Sequence, residues 1–239
     1  VKKEILSTVV FAALTMAAVP AQAAPKDPVG VLKATIAAGH GVRFTGDVTW
    51  TDGTDERGAR DINGVFQFGK KEIAAFDITT KYGDEHERVI GIGKTGYYSG
   101  DRISGLLPEG KTWYKSKNYG MPDSWSQFIN PAEPKTLAKL LKNGKTRGNS
   151  VSGSITLKEL KAVSGWVSAA RIGKEHDGLK ISYTLTLSSA GLVNRVTSTY
   201  TMAADGESHT STVNTSYTKW GSKVSVTAPD PSTVTTKPR

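Results

Sequence analysis

"LKISYTLTLSSAGLVNRVTSTYTM", residues 179–202, decides the fold class. Ile181, Tyr183, Leu185 and Leu187 alternate with Ser182, Thr184 and Thr186. That two-residue period places one apolar row against a core and one hydroxyl row toward water. "SSAG" (188–191) supplies turn residues, and the chain returns in a second alternating run, which predicts an antiparallel hairpin. Downstream, "STVNTSYTKW" (211–220) and "KVSVTAP" (223–229) read as two closing strands hinged at Gly221. Upstream, "SGSITLKEL" (152–160) leads in.

The N-terminal half follows the same grammar. "VRFTGDVTW" (42–50) puts Val42, Phe44, Val48 and Trp50 on one face and Arg43, Thr45, Asp47 and Thr49 on the other. After the charged turn "TDGTDERGARD", Ile62, Phe66 and Phe68 align along "INGVFQFG" (62–69). "EIAAFDITT", "HERVIGIG", "GYYSG" and "KTWYKS" continue an up-and-down meander. Two helical segments interrupt the strands. "KDPVGVLKATIAAG" (26–39) has a capping Asp27, Pro28 at the first helical position, and Val29, Leu32 and Ile36 on one face. "MPDSWSQFINPAEPKTLAKLLKNG" (121–144) ends in an amphipathic helix over 134–142, with Leu137, Leu140 and Leu141 opposite lysines. The sum is an α+β domain: about 10–11 antiparallel strands in a strongly curved half-barrel, with helices covering its concave side.

"VKKEILSTVVFAALTMAAVPAQA" (1–23) has the basic start, short apolar run and small-residue exit of a secretory signal peptide. Residues 24–229 then form one domain, and the Pro- and Thr-rich 230–239 read as a disordered tail. The chain contains no cysteine, which removes disulfides, thiolate chemistry and cysteine-borne lipid anchors. A net charge of +9 comes from scattered lysines with no arginine-rich run. That distribution suits an anionic envelope or membrane surface and argues against nucleic acid as a partner.

No stretch of the sequence assembles a nucleophile, a base and an orienting group. "GIGKTG" (91–96) matches a dinucleotide fingerprint in letters, yet strand-like "YYSG" follows where a helix is needed, so its glycines are turn glycines. His40, His86, His176 and His209 lack metal-ligand spacing, and no G-x-S-x-G elbow accompanies the serines. The acidic clusters Asp52/Asp55/Glu56 and Asp84/Glu85/Glu87 read as solvated turn charges. The expectation is a chain that is not an enzyme and takes no cofactor and no metal.

Three stretches in order, "TWYKSKNYGMPDSWSQFINPAEPKTLAKLLKNG", "SGSITLKEL" and "YTLTLSSAGLVNRVTSTYT…STVNTSYTKWGSKVSVTAP", resemble the LppX/LprG-like lipid-carrier lipoproteins of actinobacteria, within the wider LolA-like superfamily. The ending Y-x-x-W-G-x-x-V-x-V-x-A-P carries most of the resemblance, which spans roughly residues 28–229. It implies a curved sheet whose apolar cavity carries lipid, glycolipid or lipoprotein acyl chains across an aqueous envelope space. On that reading Phe44, Val48, Phe66, Phe68, Ile181, Tyr183 and Leu185 line the sheet side, and Leu137, Leu140 and Leu141 form a helical wall. Lys135, Lys139 and Lys142 would then sit near an anionic head group or membrane surface.

The chain departs from the family in having "AQAAPKDP" where a lipobox cysteine is usual, which points to a released, soluble, monomeric carrier outside the cytoplasm. The alternative is an extracytoplasmic sensor or protein-interaction domain on the same fold, with a closed cavity and an exposed apolar patch. A secreted hydrolase assembled only by folding is a third reading, requiring a histidine beside a serine or carboxylate.

Overall fold

The computed structural model describes residues 27–52, 55–117, 127–170, 172–204 and 207–239. Residues 1–23, read from sequence as a signal peptide, and Trp125 lie outside the described residues.

Twelve strands form one unclosed, curved sheet. In chain order they are β1 His40–Asp52, β2 Asp55–Phe68, β3 Ile73–Tyr82, β4 Glu85–Ile92, β5 Thr95–Gly100, β6 Trp113–Lys117, β7 Lys145–Arg147, β8 Ser150–Thr156, β9 Lys180–Leu187, β10 Val193–Ala204, β11 Glu207–Lys223 and β12 Val234–Thr235. Helices α1 Pro28–Thr35, α2 Asp101–Ser104, α3 Pro134–Asn143, α4 Leu157–Lys161 and α5 Gly165–Ala169 are interspersed. The spatial order is β12-β6-β5-β4-β3-β2-β1-β11-β10-β9-β8-β7. Two meanders, one from each half of the sequence, therefore meet at a single antiparallel seam between β1 and β11. Every other pairing is antiparallel too, except that β12 lies parallel to β6.

The sequence alternation becomes the two faces of the sheet. Val42, Phe44 and Val48 on β1, Ile62, Phe66 and Phe68 on β2, and Ile181, Tyr183, Leu185 and Leu187 on β9 are all buried. Leu32 and Ile36 at α1, Leu137 and Leu140 on α3, Leu157 and Leu160 on α4, and Trp166 and Val167 on α5 join the same core. One face of the sheet thus carries α1, α3, α4 and α5, and the hydroxyl and charged row faces water.

α1 starts as its sequence dictates: the Asp27 side chain accepts from the Gly30 amide at 2.8 Å, with Pro28 in the first turn. The sequence pattern carries the strand of "SGSITLKEL" on through Leu157–Leu160. Instead the strand ends at Thr156, where a capping box with Glu159 opens a helix: Thr156 Oγ1 accepts from the Glu159 amide, and Glu159 accepts from the Thr156 amide at 3.0 Å.

Two expectations about the C-terminal region are corrected. Gly221 does not hinge two strands but lies inside β11, at a bulge. The β1–β11 register shifts between Gly41 and Arg43, and Lys219 and Gly221 there have φ of 54° and 73°. The Trp220 indole donates to the Val193 carbonyl at 2.9 Å and stacks on Phe68 and Tyr217. "VSVTAP" beyond Lys223 is not a strand; the Val224 amide bonds Gly39 O and the Val226 amide bonds the Gln67 side chain at 2.6 Å.

The tail 230–239, expected to be disordered, is placed against the sheet. A 3-10 turn at Pro231–Thr233 leads into β12, and Lys111 Nζ donates to Ser232 O at 2.7 Å. With β12 and the three-residue β7 added, the strand number exceeds the expected 10–11.

Candidate functional site

The ten residues expected to line a cavity are brought together by the fold. Phe44, Val48, Phe66, Phe68, Leu137, Leu140, Ile181, Tyr183 and Leu185 belong to one continuous buried cluster, and Leu141 packs partly buried against it. Phe44 and Phe66 pack at 4.7 Å between ring centroids, and Tyr183 donates its hydroxyl to Leu140 O at 2.6 Å, fastening α3 onto β9. These contacts have the character of a filled interior.

Open space adjoins that interior instead of replacing it. A cleft of about 810 Å³ runs between α1, the β2–β3 turn, the start of α3, and the α4–α5 connection. Ile36, Ile73, Val163 and Trp166 give it an apolar lining, while Lys33, Lys70, Lys71 and Lys135 stand exposed around it. None of the ten expected residues lines this cleft. Its volume lies within the range of sites that enclose most of a small ligand.

Trp166 connects cleft and core. Its ring meets Phe66 and Phe76 edge-on, at 5.5 and 5.2 Å, and its indole N–H donates to Gln127 O at 3.3 Å. Gln127, fully buried, is itself held by the sheet: its amide donates to Thr215 Oγ1 on β11 and its carbonyl oxygen accepts from Ser198 Oγ on β10. A buried polar bridge of this kind satisfies groups that would otherwise be costly to desolvate.

Glu133 forms the polar side of the same cleft. Its carboxylate accepts from Ser164 Oγ at 2.6 Å, Thr136 Oγ1 at 2.9 Å and the Trp166 amide at 2.8 Å, joining the start of α3 to the start of α5. Burial pushes its pKa upward, against the downward pull of those donors. Tyr217, below it in the core, has its phenol raised by burial first and by the Glu133 charge second.

The lysines read from the α3 pattern separate. Lys135 lines the cleft, whereas Lys139 pairs with Glu159 at 3.0 Å, tying α3 to α4, and Lys142 is exposed away from the cleft lining. Lys161 is occupied by Asp177 at 2.7 Å and by the carbonyls of Ile172 and Gly173. In the sequence Trp166 reads only as one of five tryptophans able to stack on a sugar or to anchor the core, and α4 reads as part of no site. The Thr156-x-x-Glu159 capping box would have revealed α4, but the cleft joins segments far apart in sequence, which no spacing rule detects.

Elsewhere the chemistry is sparse. The "GIGKTG" glycines form the β4–β5 hairpin, with Gly93 at φ 57°. His209 pairs with Asp52 across the β1–β11 seam, and His40 bonds the Ala38 carbonyl. Among the described residues, no three His, Asp or Glu side chains gather as a metal cage requires, and no helix is long and apolar enough to cross a membrane.

Fold and cleft together define an open-sheet α+β protein with a ligand-sized lateral cleft. No family model and no curated protein matches the chain. Among solved structures it is similar to a LolA superfamily protein from Nitrosomonas europaea, at 5% identity and a TM-score of 0.33, covering 82% of this chain and 91% of that one. It is also similar to transferrin binding protein B from serogroup B Neisseria meningitidis, at 10% identity and a TM-score of 0.27, covering 80% of this chain but only 27% of that one. A DUF1329 family protein from Desulfovibrio piger follows at 8% identity and a TM-score of 0.23, covering 80% and 89%. At these scores the likenesses carry no argument about ligand or activity.

Proposed function

We propose that this chain is a non-enzymatic binding protein for lipids or other acylated ligands, acting outside the cytoplasm as a released monomer. The acyl chain lies in the cleft bounded by Ile36, Ile73, Val163 and Trp166, not among the ten core residues. The observation that carries this reading is the cleft itself: about 810 Å³ of open space with apolar side chains inside and ammonium groups around it. Each methylene taken out of water contributes about 0.8 kcal/mol, so ten supply about 8 kcal/mol before the cost of association. No reactive group is required. Trp166 forms part of the cleft wall, and its fixation by Gln127 and Glu133 means that wall is already in place before binding.

Native mass spectrometry of the protein purified from its own host tests the reading, together with uptake of a fluorescent fatty acid. A co-purifying acylated species, and uptake that Val163→Glu abolishes in a folded variant, are the expected results. A clean unliganded mass with no uptake of the fatty acid sinks the proposal.

A further inference from the structure

We infer that the ligand of this cleft carries an anionic head group, and that Lys33, Lys70, Lys71 and Lys135 hold it. The inference rests on the acyl-binding reading above and adds the chemistry of the ligand's polar end. The four lysines come from three separate elements: Lys33 from α1, Lys70 and Lys71 from the β2–β3 turn, and Lys135 from the first turn of α3. All four are exposed, and among the described residues none has a carboxylate partner.

The neighbouring lysines make the contrast. Lys139 and Lys161 are each neutralised by an acidic residue, Glu159 and Asp177, at 3.0 and 2.7 Å. The cleft's own acidic groups do not balance the remaining four. Glu133 is engaged by Ser164, Thr136 and the Trp166 amide, which leaves Glu72 as the other carboxylate in the lining. Positive charges gathered beside an apolar surface repel one another, and an anion placed among them relieves that repulsion. The cleft is therefore amphipathic in the same sense as its ligand: apolar at Ile36, Ile73, Val163 and Trp166, and cationic at the four lysines.

Lysine also constrains the kind of recognition. An ammonium on a flexible stem reads charge and not the planar outline that an arginine fork reads. The site should discriminate sharply between charged and uncharged head groups and poorly among different anions.

Three single-chain amphiphiles with the same acyl chain, kept below their micelle concentrations, separate the terms by titration calorimetry on the full chain. They are lysophosphatidylglycerol, lysophosphatidylcholine and monoacylglycerol. The anionic lipid is expected to bind about tenfold more tightly than the other two at low salt, from a few partly exposed charge contacts. That advantage shrinks as salt rises. Lys70→Glu combined with Lys71→Glu should erase the preference for the anionic lipid over lysophosphatidylcholine and monoacylglycerol.

Equal binding of all three lipids overturns the head-group inference and leaves the acyl-binding reading standing. Binding of none overturns both. Glycerol 3-phosphate, which has the charge without the chain, is expected not to compete; competition as strong as that of the lysolipid would assign the lysines to a soluble phosphate and overturn the inference.

Discussion

The tip of the Phe44 ring lies over Gly64, its direct cross-strand partner in the β1–β2 pair, and fills the space a side chain would take. Trp50 covers Gly58 in the same way six residues along β1, and Tyr183 covers Gly153 between β9 and β8. An aromatic over a glycine lets a strongly curved sheet keep its inner face filled where two full side chains would crowd. Gly64→Ala would drive a methyl group into the Phe44 ring, which is itself packed against Phe66 and Tyr217. A loss of about 1–3 kcal/mol in urea unfolding is expected. Gly178→Ala, with open space around it, serves as the control and should be neutral or slightly stabilising. Equal stability of the two variants would mean the Phe44–Gly64 fit is not a constraint.

The bulge that carries Trp220 has a separate backbone requirement. Gly221 sits at φ 73°, and a Cβ there would also press on Thr35 at 3.3 Å. Gly221→Ala is expected to cost about 1–2 kcal/mol, chiefly from the left-handed backbone. Trp220→Phe keeps the stack on Phe68 and Tyr217 but removes the donor to Val193 O, and should cost about 1 kcal/mol. Both are read from the midpoint of chemical unfolding. A Gly221→Ala protein as stable as the parent would remove the bulge from the account of why this stretch contains glycine.

Glu133 gives the protein a pH dependence with a definite sign. Its carboxyl is raised by burial above the ordinary 4.5, so the folded chain holds this proton more tightly than the unfolded chain does. Stability from this group is fully present below pH 4.5 and is lost as pH rises through the folded-state value. Glu133→Gln cannot titrate and lacks that loss. Subtracting the pH–stability curve of the parent from that of Glu133→Gln should therefore give a difference that grows in favour of the variant above pH 4.5 and then levels off. A flat difference from pH 4 to pH 8 would contradict the assignment.

How much of this was readable before the structure depends on the scale of the pattern involved. The alternation Ile181, Tyr183, Leu185, Leu187 and the face Leu137, Leu140 are local, and both sets are buried as their periods require. The meander over β1–β6 follows from consecutive strands and short turns. The β1–β11 seam joins residues as far apart as His40 and Lys223, and nothing in either strand names the other. α4 and α5 are five residues each, too short for a helical period to show, and only their capping residues Thr156 and Ser164 betray them. Lys33, Lys71, Lys135 and Trp166 meet only because the fold stacks α1, the β2–β3 turn, α3 and α5 at one cleft. The ten apolar residues chosen from strand and helix faces are legible as core, because apolar periodicity reports burial whether or not a cavity lies beneath it.

The strand least expected from sequence leads to the last prediction. β6 would be an open edge, with unpaired amides available to another chain, were it not covered by the parallel pair Val234–Thr235 opposite Trp113–Tyr114. The Thr112 amide donates to Thr233 O at 3.0 Å, and the Arg239 amide donates to Leu106 O at 2.7 Å, so contacts on both sides of β12 hold the segment down. These groups lie at the surface, and little apolar area is buried by them. Deleting residues 231–239 is therefore expected to leave the unfolding midpoint nearly unchanged. It should accelerate hydrogen exchange at the Thr112 amide by about tenfold, the equivalent of one net hydrogen bond. Self-association should rise with concentration in the same variant, as the β6 edge becomes a template for strand addition. If exchange at Thr112 and the sedimentation behaviour both match the full chain, the tail does not protect that edge, and its pairing with β6 has no bearing on solubility.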